Sequence, residues 1–114
     1  MCGIAGIISS QKGFVNRTRL QRMSDALAHR GPDGEGICQE ESAQTSFGMA
    51  HRRLAIVDLT VQANQPLTYL NRYVIVHNGE IYNYPDIKKD LIAKGLKFQS
   101  NSDTEVIAAA YHHY

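Results

Sequence analysis

The chain has 114 residues, 43% hydrophobic and 20% charged, a balance that fits a globular domain rather than a disordered or fibrous chain. Twelve Lys and Arg against eleven Asp and Glu leave a net charge of +1, with no basic block. That argues against nucleic acid or an anionic membrane as the main partner, and no apolar run reaches the ~18 residues that span a bilayer.

The apolar run at the N-terminus stops at Ile8, short of the long apolar region of a secretory signal. A cytoplasmic protein with free thiols at Cys2 and Cys38 is therefore expected. The five histidines show no metal-ligand spacing with these cysteines, so no metal site is expected.

In chain order, residues 3–9 are apolar and β-branched at Ile4, Ile7 and Ile8, which predicts a buried strand. Gly3 and Gly6 within it predict close approach by another backbone or a ligand. Residues 11–16 read as a loop. Residues 17–29 carry Leu20, Met23 and Leu27 at helical spacing and predict an amphipathic helix. His29 to Gly36 holds three glycines and a proline in eight residues, the signature of a shaped loop. Residues 37–42 and 44–51 alternate weakly and predict two antiparallel strands. Residues 53–59 form a further apolar run, and residues 62–66 a polar turn.

Residues 73–77 read as the clearest strand, with a turn at Asn78-Gly79 and a return strand at Glu80–Tyr82, hence a hairpin. Pro85 fits the first turn of a helix running to about Lys94, with Ile87, Leu91 and Ile92 inward and Gly95 closing it. Residues 96–99 predict a short strand. Ser102-Asp103-Thr104-Glu105 has the form of a capping box and opens a last helix, with Val106, Ile107, Ala110 and Tyr114 on one side. No stop signal follows that helix, so a longer parent protein is expected.

Cys2 stands behind the initiator methionine. Removal of Met1 would give its thiol an α-amine on the same residue, a nucleophile with its own base; a Cys at this position is otherwise a small apolar residue opening a strand. Asn78-Gly79 offers a side-chain amide beside an unhindered backbone N–H, a pair suited to an oxyanion hole, though Asn-Gly is also the commonest two-residue hairpin turn. Arg53 is a planar fork able to clamp a carboxylate, or else an exposed charge at a strand end. Asp103 is placed to receive an ammonium group, or simply to favour the helix dipole. Together the four describe one ligand with a carboxylate, an ammonium and a side-chain carbonyl: an amino acid such as glutamine.

Met1-Cys2-Gly3-Ile4-Ala5-Gly6, His29-Arg30-Gly31-Pro32-Asp33, Arg53-Leu54-Ala55-Ile56-Val57-Asp58, Gln65-Pro66, Asn78-Gly79-Glu80-Ile81-Tyr82-Asn83 and Ser102-Asp103-Thr104-Glu105 follow one another along the chain. In that order they resemble the class II glutamine amidotransferase domain, and more narrowly the glutaminase half of glutamine-hydrolysing asparagine synthetases. The resemblance implies an α+β fold, the N-terminal-nucleophile α/β/β/α sandwich with antiparallel sheets. Residues 1–114 would then be a partial domain, incomplete at the C-terminus, with the synthetase domain absent. It implies a glutaminase: Cys2, with Met1 removed, as nucleophile, Asn78 and Gly79 as the oxyanion hole, Arg53 as carboxylate ligand and Asp103 as amine ligand. Leu54, Ala55, Ile56, Val57 and Glu80 would line the glutamine pocket, and His29 to Asp33 would support it. Cys38 matches nothing in the family pattern.

The ammonia would serve asparagine synthesis from aspartate. No cofactor is implied for this domain, whereas ATP and Mg belong to the synthetase domain. The expected partners are L-glutamine and that synthetase domain, with no nucleic acid and no membrane, and a homodimer left open. The alternatives are a related amidotransferase acting on a sugar or another acid, and an inactive fragment that only binds an amino acid.

Overall fold

The computed structural model describes residues 1–114 as five strands and three helices in two packed groups. Strands β1 (Gly3–Ser9), β2 (Gly34–Glu41) and β3 (Ser46–Arg53) form an antiparallel sheet in the order β1-β3-β2. Helix α1 (Arg17–Ala26) packs across all three strands. Asn16 caps it by accepting the Arg19 N–H at 2.9 Å, and Leu20 is fully buried beneath it. Such a side chain contributes roughly 1.5–3 kcal/mol through burial.

Because α1 covers only one face of the sheet, β1 is not the buried strand that its isoleucines predict. It is an edge strand, with Ile4 46% and Ile8 75% exposed on the uncovered face. The predicted first helix ends early, at Ala26, and a single 3-10 turn spans Ala28–Arg30. Gly34 to Gly36, read as loop, belong instead to β2, paired with residues 51–53 of β3.

The second group begins with a hairpin that the sequence did not announce, β4 (Leu67–Tyr69) on β5 (Tyr73–Ile75). Its turn includes Leu70 and Asn71, with φ of 55° and 51°. Tyr69 pairs with Tyr73, so the loop has three residues, and its left-handed positions are filled without glycine. Asn78 and Gly79 do not have positive φ, and Glu80–Tyr82 forms no strand, so the hairpin expected there does not exist. Their segment instead leads into helix α2 (Tyr84–Ala93), with Pro85 in its first turn and Gly95 just past its end at φ 92°.

Helix α3 (Asp103–His113) completes the group. Leu67, Tyr69, Leu91, Val106, Ala108 and Ala109 form its core. The expected apolar faces are only partly inward: Ile92 is 53% and Tyr114 77% exposed. The strand expected at residues 96–99 is absent, and half of the capping box fails for the same reason. Ser102 caps Thr104 N–H at 3.1 Å, but the Glu105 carboxylate turns away to take the N–H groups of Gln99 and Ser100, both at 2.8 Å. The two groups meet along segment 54–66, where the apolar run 53–59 leaves β3 at Arg53 and continues as loop up to the 3-10 turn Val61–Ala63.

Candidate active site

Antiparallel register brings the start of β1 beside the end of β3, so Cys2 and Arg53 emerge at one end of the sheet. The Leu54 N–H donates to Cys2 Sγ at 3.3 Å, and the thiol in turn lies 3.6 Å from the Leu54 carbonyl oxygen. Across from this end stands the N-terminus of α3, with Asp103 6% exposed and one carboxylate oxygen accepting the Ile81 N–H at 2.9 Å.

Between them lies a cavity of about 500 Å³, well within the size range of small-ligand sites. Of the residues singled out from the sequence, Cys2, Arg53, Leu54, Ile56, Val57, Asn78, Gly79, Glu80 and Asp103 all line it, together with Met1. Ala55 does not. Its N–H is held by Asp33 Oδ2 at 2.9 Å, and it lines a separate hollow on the other side of the segment.

Arg53 is 8% exposed, and none of the three ion pairs in the molecule involves it. Its Nη1 is spent on the Thr60 carbonyl and Asn64 Oδ1, each at 2.8 Å. The rest of the guanidinium makes no hydrogen bond within the chain. A buried cation without an anion is costly unless a ligand supplies one. The Asn78 amide and the Asn78 and Gly79 N–H groups are likewise unpartnered, exposed donors on the cavity wall.

Four further residues that line this cavity escaped sequence reasoning. Asp58 accepts Thr60 N–H (2.8 Å), Thr60 Oγ1 (2.6 Å) and, through its other oxygen, Asn101 N–H (2.8 Å). The Thr60 hydroxyl, aided by the two backbone donors and Arg53, holds this carboxyl below its ordinary value. Gln65, His77 and Thr104 are joined in a second knot of hydrogen bonds. The signal was present for Asp58 and Gln65, which stand within the Arg53–Asp58 and Gln65-Pro66 motifs, but polar motif residues without obvious chemistry gave no reason to assign them.

Residues 1–114 match the family described as a glutamine amidotransferase domain. The chain belongs to that family. Among curated relatives, an asparagine synthetase [glutamine-hydrolyzing] 2 of Oryza sativa subsp. japonica is 43% identical over the whole chain, which covers 18% of that protein. Asparagine synthetase [glutamine-hydrolyzing] 1 of Bacillus subtilis is 38% identical, again over the whole chain and 18% of the relative. A putative asparagine synthetase [glutamine-hydrolyzing] 2 of Methanocaldococcus jannaschii is 39% identical over 98% of the chain and 24% of its own length. The amidotransferase chain thus spans about a fifth of the length of these relatives. In the amidotransferase domain itself no helix is long and apolar enough to cross a membrane. No group of three or more His, Cys, Asp or Glu residues is gathered to hold a metal ion.

Proposed function

We propose that this domain hydrolyses the side-chain amide of L-glutamine through a thioester on Cys2. The observation that carries this is the convergence, on one cavity, of a thiol, an unpaired guanidinium, an exposed pair of donors and a buried carboxylate. Glutamine offers a counterpart to each. Its α-carboxylate pairs with Arg53, its α-ammonium with Asp103, and its side-chain carbonyl lies against Cys2 and Asn78-Gly79. Leu54, Ile56, Val57 and Glu80 form the walls.

Loss of Met1 exposes the α-amine of Cys2, which takes the thiol proton. The sulfur attacks the amide carbon, and the oxygen that becomes negative is held by the Asn78 amide and the Gly79 N–H. Collapse breaks the C–N bond, the α-ammonium returns its proton to the leaving nitrogen, and ammonia departs. Water then cleaves the thioester to glutamate and restores the thiol.

Relatives named as glutamine-hydrolyzing asparagine synthetases support the further reading that in a full-length protein the ammonia would feed asparagine formation, from aspartate and with ATP. ATP and Mg would then be used by a synthetase domain of the same chain, with no cofactor in residues 1–114, and the enzyme would work in the cytoplasm. The two antiparallel sheets with flanking helices fit the N-terminal-nucleophile α/β/β/α sandwich, of which residues 1–114 would be the first part.

The test begins with intact mass of the purified protein, which should show Cys2 as the first residue. Cys2→Ala should reduce ammonia release from glutamine by about 10³-fold or more while glutamine still binds. Hydrolysis at the wild-type rate by that variant, or full activity with Met1 retained, would remove the thioester mechanism.

A further inference from the structure

His51, in the middle of the sheet, is fully buried, with Nε2 3.2 Å from the His77 carbonyl oxygen and Nδ1 without any partner. A carbonyl only accepts, so Nε2 carries the proton. Burial above all, with Arg53 and His77 nearby, pushes the imidazole below its ordinary value of 6.5, against the bond to the His77 carbonyl. The ring is therefore neutral, and its bare Nδ1 is a lone pair.

The second imidazole is fixed by a relay. The His77 N–H can only donate, and it donates to Gln65 Oε1 at 2.5 Å, which orients that amide. Gln65 Nε2 then donates to Thr104 Oγ1 at 3.1 Å. The Thr104 hydroxyl proton has His77 Nδ1 as its acceptor, at 3.4 Å. This arrangement gives the His77 N–H, one Gln65 amide hydrogen and the Thr104 hydroxyl an acceptor each and leaves the His77 proton on Nε2. That nitrogen lies against Gly79, where a Cβ would come within 2.9 Å of it.

We propose that His51 and His77 are positioning residues that hold the Asn78-Gly79 donors in place, each as the neutral Nε2–H tautomer. The inference rests on the glutaminase function proposed above. One peptide plane carries both the His77 carbonyl and the Asn78 N–H, so His51 sets the angle at which the donor segment leaves β5. The His77 ring, anchored by Gln65 and Thr104, is the floor on which Gly79 rests. Stabilisation of a developing oxyanion depends on donors already in position when the charge forms. Asn78 and Gly79 are exposed and otherwise unbonded, so these two rings supply the rigidity that the segment lacks.

The test compares His51→Leu, which removes the donor, with His51→Gln, whose amide nitrogen retains one, in protein lacking Met1. His51→Leu should lower kcat for glutamine hydrolysis about 10–100-fold with KM changed less than about threefold, and His51→Gln should keep kcat within about fivefold of wild type. Equal kcat in the leucine variant and wild type, or a loss confined to KM, overturns the proposal. Should the leucine variant not fold, long-range proton–nitrogen NMR of the wild-type protein at neutral pH decides. Both rings are expected neutral with Nε2 protonated; Nδ1–H on His77, or a charged His51, overturns the proposal equally. Wild-type protein that does not hydrolyse glutamine would instead sink the proposed function, an outcome distinct from any tautomer result.

Discussion

Arg53 is a buried cation that forms no ion pair within the protein, its influence on Asp58 being longer-ranged, and this arrangement dictates how it should respond to substitution. Its Nη1 bridges the Thr60 carbonyl and Asn64 Oδ1, so the fork is oriented before any ligand arrives. A lysine keeps the charge but cannot bridge both acceptors and still present a planar pair of donors. Arg53→Lys should therefore raise KM for glutamine about 10–100-fold with kcat within a few-fold, because the carboxylate is bound equally in ground and transition states. Steady-state kinetics with glutamine check this, and a fall in kcat at unchanged KM would place the arginine in the chemistry rather than in binding. Cys2, Arg53 and Asp103 were legible because thiol, guanidinium and carboxylate announce their chemistry by type. His51, His77, Gln65 and Thr104 were not, since their roles exist only in hydrogen bonds spanning 12 to 39 residues of sequence.

The elements around the site were legible where a local rule acted alone. Asn16 before α1, Pro85 in α2, Gly95 after it and Ser102 before α3 all stand where capping and backbone preference put them. Misreadings arose where tertiary contacts overrode such rules. Asn78-Gly79 has the composition of a hairpin turn, yet the turn went to residues 70–72 because β4, not Glu80–Tyr82, pairs with β5. Residues 34–36 have the glycines of a loop, yet they are strand, and at Gly36 the reason is a crossing chain. Gly36 lies opposite His51 in the register, and a Cβ there would overlap the Gln65 carbonyl oxygen and come within 2.8 Å of Pro66 Cδ. The segment that delivers Gln65 to His77 can thus pass over β2 only above a glycine. Gly36→Ala should cost stability at the upper end of the ~1–3 kcal/mol typical of overpacking. Urea denaturation measures this, and a midpoint equal to wild type would mean the 65–66 segment does not pack on β2 as described.

Taken whole, the molecule is two groups of elements held together at the cavity, and the bonds that join them run through titratable groups. Asp58 ties segment 54–66 to Asn101 ahead of α3, and His51 ties the sheet to His77 after β5. Both have folded-state pKa values below their ordinary ones, 6.5 for His51 and 3.8 for Asp58. For His51 the unfolded chain binds a proton near 6.5 while the folded chain refuses it, so stability declines as pH falls below that value. The cause is physical: a charged ring would be buried near Arg53, with a new Nδ1–H that finds no acceptor. For Asp58 the same sign applies lower down, stability being lost as pH falls through 3.8 toward the folded value and the carboxylate gives up its hold on Thr60 and Asn101. On the alkaline side burial raises Cys38 from 9.0 and Tyr69 from 10.0. There the unfolded chain ionises first, and stability declines as pH rises past each value. The expected profile is a plateau between pH 6.5 and 9.0 with a two-step acid limb and an alkaline limb. Urea midpoints measured across pH trace it, and His51→Gln should flatten the first acid step alone, since an amide does not titrate. A first step of undiminished slope in that variant would assign the proton to another group and detach the joint between sheet and hairpin from acid sensitivity.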